Sequence, residues 1–168
     1  MRLADHFLGQ LERESSGTRR VLERVPDGHN DWKPHPRSMP LGYLAALVAR
    51  LPGWVAMMVN LDEYVLEPQG QFYPKTANSR RELLKVFDDS VAESRDALTK
   101  ATDEHLLKPW RLIVAGHVVS EQPRHIAISD AVFSHLSHHR GQLTVYLRLN
   151  DLPVPAIFGP SADEGQFQ

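Results

Sequence analysis

The sequence predicts an all-α protein, a four-helix bundle with a small β-hairpin before its last helix. Four long segments repeat their apolar residues near the 3.6-residue helical period, whereas one short segment alternates apolar and polar residues as a strand does. The 168 residues are 42% hydrophobic and 24% charged, which is enough for one domain with a proper core. We therefore expect residues 1–168 to form a single domain.

The first helix is predicted over residues 2–25. Its apolar stripe consists of Leu3, Phe7, Leu11, Leu22 and Val25. Glu14 falls on this stripe, where a carboxylate is unusual unless it is paired or binds a ligand. The alternative is that this part of the helix lies over the rim of the protein and that Glu14 is solvated.

An extended, proline-rich connection is expected to follow Pro26, with Trp32 anchoring it to the body of the protein. The second helix follows Ser38, a suitable N-cap, and Pro52 should kink or split it. Residues 65–77 are predicted to form a loop because they are rich in turn formers, namely Pro68, Gly70 and Pro74.

The second half of the chain is predicted as helix, hairpin, helix and irregular tail. A capping box at Ser79–Glu82 begins the third helix, which runs to about Ala101. Residues 108–121 alternate around an Ala115-Gly116 turn, which predicts the hairpin. The fourth helix follows Pro123 and ends near Leu149, after which prolines exclude a helix.

The fourth helix carries His135 and His139 on its apolar stripe. Histidines four residues apart lie on one helical face, with Cβ atoms roughly 5–6 Å apart. Two inward imidazoles one turn apart are a common start for a metal site. The alternative is a pair of core histidines satisfied by hydrogen bonds, and the spacing alone leaves both interpretations open.

Composition excludes several function classes. The absence of cysteine rules out disulfides, thiolate nucleophiles and Cys-ligated zinc. A net charge of −2 without a long basic run argues against nucleic acid as the main partner. No long apolar span or N-terminal h-region is evident, so we expect no membrane partner and a cytoplasmic location.

The block His135-x-x-x-His139-Arg-Gly-Gln142, with the tail Gly159-Pro-Ser-Ala-Asp-Glu164, resembles the DinB/YfiT-like superfamily. The segments Ser38–Leu44 and Leu51-Pro-Gly-Trp54 are similar to the second helix of one branch, and Leu11–Pro26 is similar to its start. The resemblance covers nearly the whole chain. It implies that family's four-helix-bundle topology, often in a homodimer.

The resemblance also implies a divalent metal, zinc or nickel, held by three histidines. Two map to His135 and His139, but the third position is Leu47, and its neighbours Ala46 and Val48 offer no ligand. Glu14 is our first candidate for the third ligand or for a general base. Asp163 or Glu164 can be considered from the tail, and each can equally be solvated.

Two functions are therefore compared. The first is a metal-dependent hydrolase or thiol transferase that acts on an unidentified small molecule. The second is a bundle that has lost its metal and serves as a small-ligand-binding or dimeric scaffold protein, and Leu47 favours it. Arg140 and Gln142 are expected to be structural, and His138 to face solvent.

Overall fold

The computed structural model describes residues 2–67 and 75–165, which form a predominantly helical fold with one small sheet. The helices are α1 (Leu3–Leu22), α2 (Leu41–Arg50), α3 (Trp54–Asn60), α4 (Arg80–Lys100), α5 (Asp103–Leu107), α6 (Arg124–Ile128) and α7 (His135–Leu149). The strands are β1 (Glu63–Leu66), β2 (Pro109–Val114) and β3 (His117–Pro123).

The long helices enclose the apolar core. α4 packs against α1, α2 and α3, whereas α7 packs against α1 and α2. Each helix turns its apolar stripe inward, as amphipathic helices of globular proteins do. The largest fully buried side chains of this core include Leu11, Leu44, Phe87, Leu98 and Leu136. This packing brings α2 and α7, the two helices implicated in metal binding, into direct contact.

The break predicted at Pro52 is confirmed. Residues Leu51–Gly53 form a 3₁₀ turn that separates α2 from α3. Ser94 of α4, which is fully buried, satisfies the interrupted backbone there. Its hydroxyl donates to the Pro52 carbonyl over 2.7 Å and accepts from the Ala56 N–H over 3.1 Å. A small polar residue on α4 thus allows the broken helix to lie inside the core.

Residues Leu41–Asn60 are long and apolar enough to cross a membrane by length and composition. However, 72% of the most apolar window is buried inside the protein. A core helix meets the same criterion, because it too is apolar all round. This segment is therefore accounted for by its packing against α4 and α7.

The predicted hairpin is confirmed, but the fold is not purely helical. β2 and β3 pair antiparallel around Ala115 and Gly116, both of which have positive φ angles. β1 adds a third strand that pairs parallel with β2, in the order β1-β2-β3. The loop predicted over residues 65–77 was therefore wrong at its first two residues, which belong to β1. Its turn formers Pro68, Gly70 and Pro74 lie outside the described residues.

The last helical segment is not one uniform helix. A π-helical turn, Ser129–Ser134, separates α6 from α7. Such wide turns inside helices occur frequently at functional sites. Here the turn ends immediately before His135, so the first histidine of the pair is also the first residue of α7.

The tail packs on α1 and α7 without a helix, as expected from its prolines. Gly17 leaves room for it, because a Cβ atom there would come within 2.7 Å of Ile157 Cγ2. Glu164 forms ion pairs with Arg20 and Arg24 of α1. Asp163 pairs with Arg148 of α7. The two tail acids, considered as metal ligands from the sequence, are thus bound to arginines.

Candidate metal centre

The structure brings His135 and His139 together. Their Nε2 atoms lie 2.8 Å apart, and their ring centroids lie 4.6 Å apart. His139 is only 8% exposed, whereas His135 is partly exposed. The pair therefore lies at the boundary between core and solvent.

Hydrogen bonds at the opposite ring nitrogens bear on the tautomers of this pair. His135 Nδ1 lies 3.3 Å from the Ala131 carbonyl oxygen, and His139 Nδ1 lies 2.7 Å from Gln142 Oε1. Both partners are acceptors, which favours a proton on each Nδ1. In a neutral imidazole this leaves Nε2 unprotonated. In that state two lone pairs face each other across 2.8 Å, whereas a proton on either Nε2 makes the same contact a hydrogen bond.

A proton shared between the rings would relieve this repulsion, but the surroundings disfavour it. Burial lowers the pKa of His135 below its ordinary value, and burial likewise lowers the pKa of His139. The nearby His138 lowers both pKa values further through charge repulsion. Two imidazoles whose Nε2 atoms meet, each with an acceptor beside its Nδ1, therefore form the candidate ligand pair of this structure.

The end of α2 and the start of α3 lie beside this pair. The Trp54 ring centroid is 5.6 Å from that of His135. Leu47 lies on α2, before the 3₁₀ turn that separates α2 from Trp54 at the start of α3. It is 8% exposed, and α2 packs against α7. The helix that carries the expected third ligand position thus contacts the helix that carries the histidines.

Glu14 occupies a separate environment. Its Oε2 lies 2.7 Å from Nη1 of Arg140, whose side chain is only 3% exposed. That Nη1 directs its hydrogens to the Thr18 hydroxyl and the Glu14 carbonyl, so the carboxylate is paired by charge without an aligned hydrogen bond. Arg140 also lies 5.3 Å from the centroid of the Phe158 ring. Arg140 is therefore structural, as expected, and ties α1 and the tail to α7.

No group of three His, Asp or Glu side chains that could hold a metal ion is found among residues 2–67 and 75–165. The structure thus joins His135 with His139 and does not bring Glu14 to them. His138 faces solvent, as expected, and its Nε2 lies 3.1 Å from Gln142 Nε2. The sequence did not single out Trp54 as part of the site, and it did not identify Gln142 as the partner of His139.

Arg124 is a further buried cation that sequence reasoning missed. Its side chain is 1% exposed and donates to the carbonyls of Met58, Leu61 and Pro109, besides pairing with Asp62. These bonds satisfy the carboxyl end of α3 and join it to β2 and α6. Such an arrangement serves the fold.

Comparison with known proteins supports this description of the fold. No protein-family model matches the chain. The uncharacterized protein YrdA of Bacillus subtilis (strain 168) is 25% identical over 163 residues, which cover 95% of this chain and 90% of YrdA.

Solved structures resemble the whole chain. A DinB-like protein from Bacillus cereus ATCC 10987 superposes with a TM-score of 0.70 at 20% identity, covering 92% of this chain and 97% of that one. The DinB-like protein YjoA of Bacillus subtilis superposes with a TM-score of 0.68 at 16% identity, covering 89% of this chain and 96% of YjoA. The chain therefore has the fold of the DinB-like proteins, which confirms the resemblance found in its sequence.

Proposed function

We propose that this chain is a DinB-like protein of the four-helix-bundle type that binds a divalent cation, zinc or nickel, through His135 and His139. One observation carries the proposal. The Nε2 atoms lie 2.8 Å apart, while two acceptors, the Ala131 carbonyl oxygen and Gln142 Oε1, lie beside the Nδ1 atoms and favour rings that carry their protons there. Without a cation or a proton between them, this arrangement is repulsive.

The donor set is that of an open and weakly held cation, because it has fewer protein ligands than either common class of zinc site. Structural zinc sites have four protein ligands, whereas catalytic sites have three and leave a position for water or substrate. Here the chain supplies two imidazoles and Leu47 supplies an apolar wall. We therefore expect a cation that exchanges readily and that binds water or a small molecule at its remaining positions. Glu14 can serve as third ligand or general base only after its ion pair with Arg140 opens.

The chemistry proposed for the site is that of a metal-dependent hydrolase or thiol transferase. When bound, a divalent cation polarises a substrate group and lowers the pKa of bound water or of a thiol. The two histidines hold it, Ala131 and Gln142 orient the rings, and Trp54 and Leu47 exclude water from one side. The substrate class is a small molecule, and we propose a cytoplasmic homodimer.

A metal-free bundle is the second candidate. The separation of 2.8 Å is also an ordinary hydrogen-bond distance, which the rings adopt if His139 donates its Nε2 proton to His135. Leu47 favours this interpretation, because an apolar wall disfavours a dication. The protein would then be a small-ligand-binding or dimeric scaffold protein without metal chemistry.

Metal analysis of the full-length protein, purified at neutral pH without a polyhistidine tag, separates the two candidates. We expect close to one equivalent of bound metal when the protein is dialysed to equilibrium against zinc or nickel, and loss of that binding in His139→Gln. His117→Gln is the matched control, because His117 is an exposed histidine at the start of β3, on a different element from the pair. Less than about a tenth of an equivalent in the parent protein would contradict metal binding.

A further inference from the structure

We infer that the groove between α1 and α4 binds a small uncharged molecule that has an apolar body and a hydrogen-bond-accepting oxygen. The groove has a volume of about 310 Å³, which lies within the range of small-molecule sites, roughly 300–1,000 Å³. Two other concavities of the described residues hold only about 10 and 20 Å³. The groove is lined by α1 and α4 alone, so it is separate from the histidine pair of α7 and does not depend on a metal.

Small side chains on α1 and apolar side chains on α4 form the middle of the groove. Ser15 and Ser16 line it from α1, whereas Phe87 and Val91 line it from α4. Phe87 is 2% exposed and Val91 is 6% exposed, so both belong to the core and form the floor. An occupant with an apolar body can cover this floor, and removal of apolar surface from water favours its binding.

Two ion pairs join the walls of the groove, one on each side of the two serines. Arg95 Nε lies 2.7 Å from Oε1 of Glu12, and Arg19 Nε lies 3.1 Å from Oδ1 of Asp88. The hydrogen bond from Arg95 lowers the pKa of the Glu12 carboxyl below its ordinary value, so this pair is ionised at neutral pH. Each cation is thus balanced by an anion of the opposite helix. A charged occupant would lie beside a like charge at either end, so the lining favours an uncharged one.

The two arginines differ in the donors that they retain. Arg19 donates to Asp88 through Nε and Nη2 and to Glu23 through Nη1, so all three of its nitrogens are engaged. Arg95 donates to Glu12 through Nε, and its two Nη groups take no part in that pair. A guanidinium only donates hydrogen bonds. The Arg95 end of the groove therefore favours an accepting oxygen on the occupant.

Ser15 supplies a second donor in the middle of the groove. Its Oγ is buried and has no hydrogen-bond partner among residues 2–67 and 75–165. A buried hydroxyl without a partner destabilises the free protein. Rotation about the Cα–Cβ bond turns this hydroxyl toward an occupant, whose oxygen then relieves the cost. The groove thus combines an apolar floor with a few polar groups, which is the usual composition of a small-molecule site.

Three probes with one ring and three charges test this inference. Benzamide is uncharged, benzoate is an anion and benzamidinium is a cation, and the three have nearly the same shape. Each is titrated at pH 7 into the full-length, ¹⁵N-labelled protein while the amide shifts are recorded. We expect saturable shifts at Ser15, Ser16 and Val91 with benzamide, half-complete at about 10 mM or below for a molecule of this size. The two ions should bind about tenfold more weakly or less tightly still.

A variant that fills the groove provides the second arm of the test. Ser15→Leu places an apolar side chain there and removes the unpaired hydroxyl, so it should abolish the saturable benzamide shifts. Ser137→Leu is the matched control, because Ser137 is an exposed serine of α7, and it should bind benzamide as the parent does. The inference is overturned by a parent protein without saturable benzamide shifts at the groove, or by unchanged binding in Ser15→Leu. Equal or tighter binding of either ion would overturn the uncharged class, and the probe series in the parent decides alone if Ser15→Leu does not fold.

Discussion

The histidine pair and Glu14 were singled out from the same kind of evidence, an ionisable group on an apolar stripe, yet the structure gives them different electrostatic surroundings. Glu14 is paired with a buried guanidinium, so its charge is balanced within the protein. The Nε2 atoms of His135 and His139 lie 2.8 Å from each other, and burial disfavours the charged form of both rings. An inward stripe position thus predicts burial but does not identify the partner.

Substitution of Arg140 should have the largest effect on stability. Arg140→Met leaves the mostly buried Glu14 carboxylate without its cation, and removing one partner of a buried ion pair costs about 3 kcal/mol or more. Urea denaturation should show a lower midpoint with an unchanged slope. The double variant Glu14→Leu/Arg140→Met should recover most of the loss, because it removes the uncompensated charge.

The same Arg140 variant sharpens the comparison if its metal affinity is measured under folding conditions. We expect the zinc affinity of folded Arg140→Met to stay within about threefold of the parent, because the ion pair and hydrogen bonds of Arg140 run to Glu14 and Thr18 of α1. A drop of tenfold or more would show that the two pairs form one site, as the sequence suggested for Glu14.

Introduction of a third imidazole should strengthen the histidine pair. Leu47→His places an imidazole on α2, the helix that packs against α7. Completion of a three-histidine set should increase zinc affinity on the order of 100-fold, or about 2.7 kcal/mol at 1.36 kcal/mol per tenfold. Leu149→His is the control, because Leu149 is exposed at the end of α7. If Leu47→His gains no affinity while it folds, Leu47 does not face the pair.

The pH dependence of stability should show a smaller effect. Burial holds the folded-state pKa values of His135 and His139 below 6.5, so the unfolded chain binds protons that the folded chain does not as the pH falls through that value. The free energy of unfolding of the metal-free protein should therefore decrease as the pH drops below about 6.5, and level off below the folded-state pKa values.

This decrease should be smaller in the double variant His135→Gln/His139→Gln, and chemical denaturation at pH 5.5 and 7.5 measures the difference. The tail carboxylates do not interfere in this range. The arginine beside Asp163 and the backbone N–H beside Glu164 hold their pKa values below the ordinary carboxyl values, so their contribution is lost only at more acidic pH. An identical pH dependence in parent and double variant would mean that the rings are not desolvated as described.

Local signals predicted most of the helices, and non-local contacts account for what the sequence did not reveal. Ser79 caps α4 through the Glu82 N–H, and the break at Pro52 is a property of proline itself. β1 was missed because its pairing with β2 joins Glu63 to Arg111, 48 positions away, and four residues carry little pattern of their own. The π-helical turn was missed because residues 129–134 keep a helical apolar stripe.

The candidate site shows the same division between features set by local sequence and features set by non-local contacts. The spacing of His135 and His139 on an apolar stripe was sufficient to predict that the rings meet, because neighbours on one helix are fixed by local geometry. The partner of Glu14 was not predictable, because Arg140 reaches it across 126 positions of chain. The contact between Gln142 and His139 was accessible in principle, since residues three apart also lie on one face. Spacing does not indicate which end of the amide faces the ring.

X-ray absorption of the zinc-loaded, untagged protein at neutral pH tests the central claim most directly, because it reports the atoms bound to the metal. Our account predicts the scattering pattern of two imidazoles together with oxygen ligands, and its loss in His135→Gln/His139→Gln. A spectrum without imidazole scattering, or one that the double variant leaves unchanged, would contradict the proposal that the facing Nε2 atoms bind a cation.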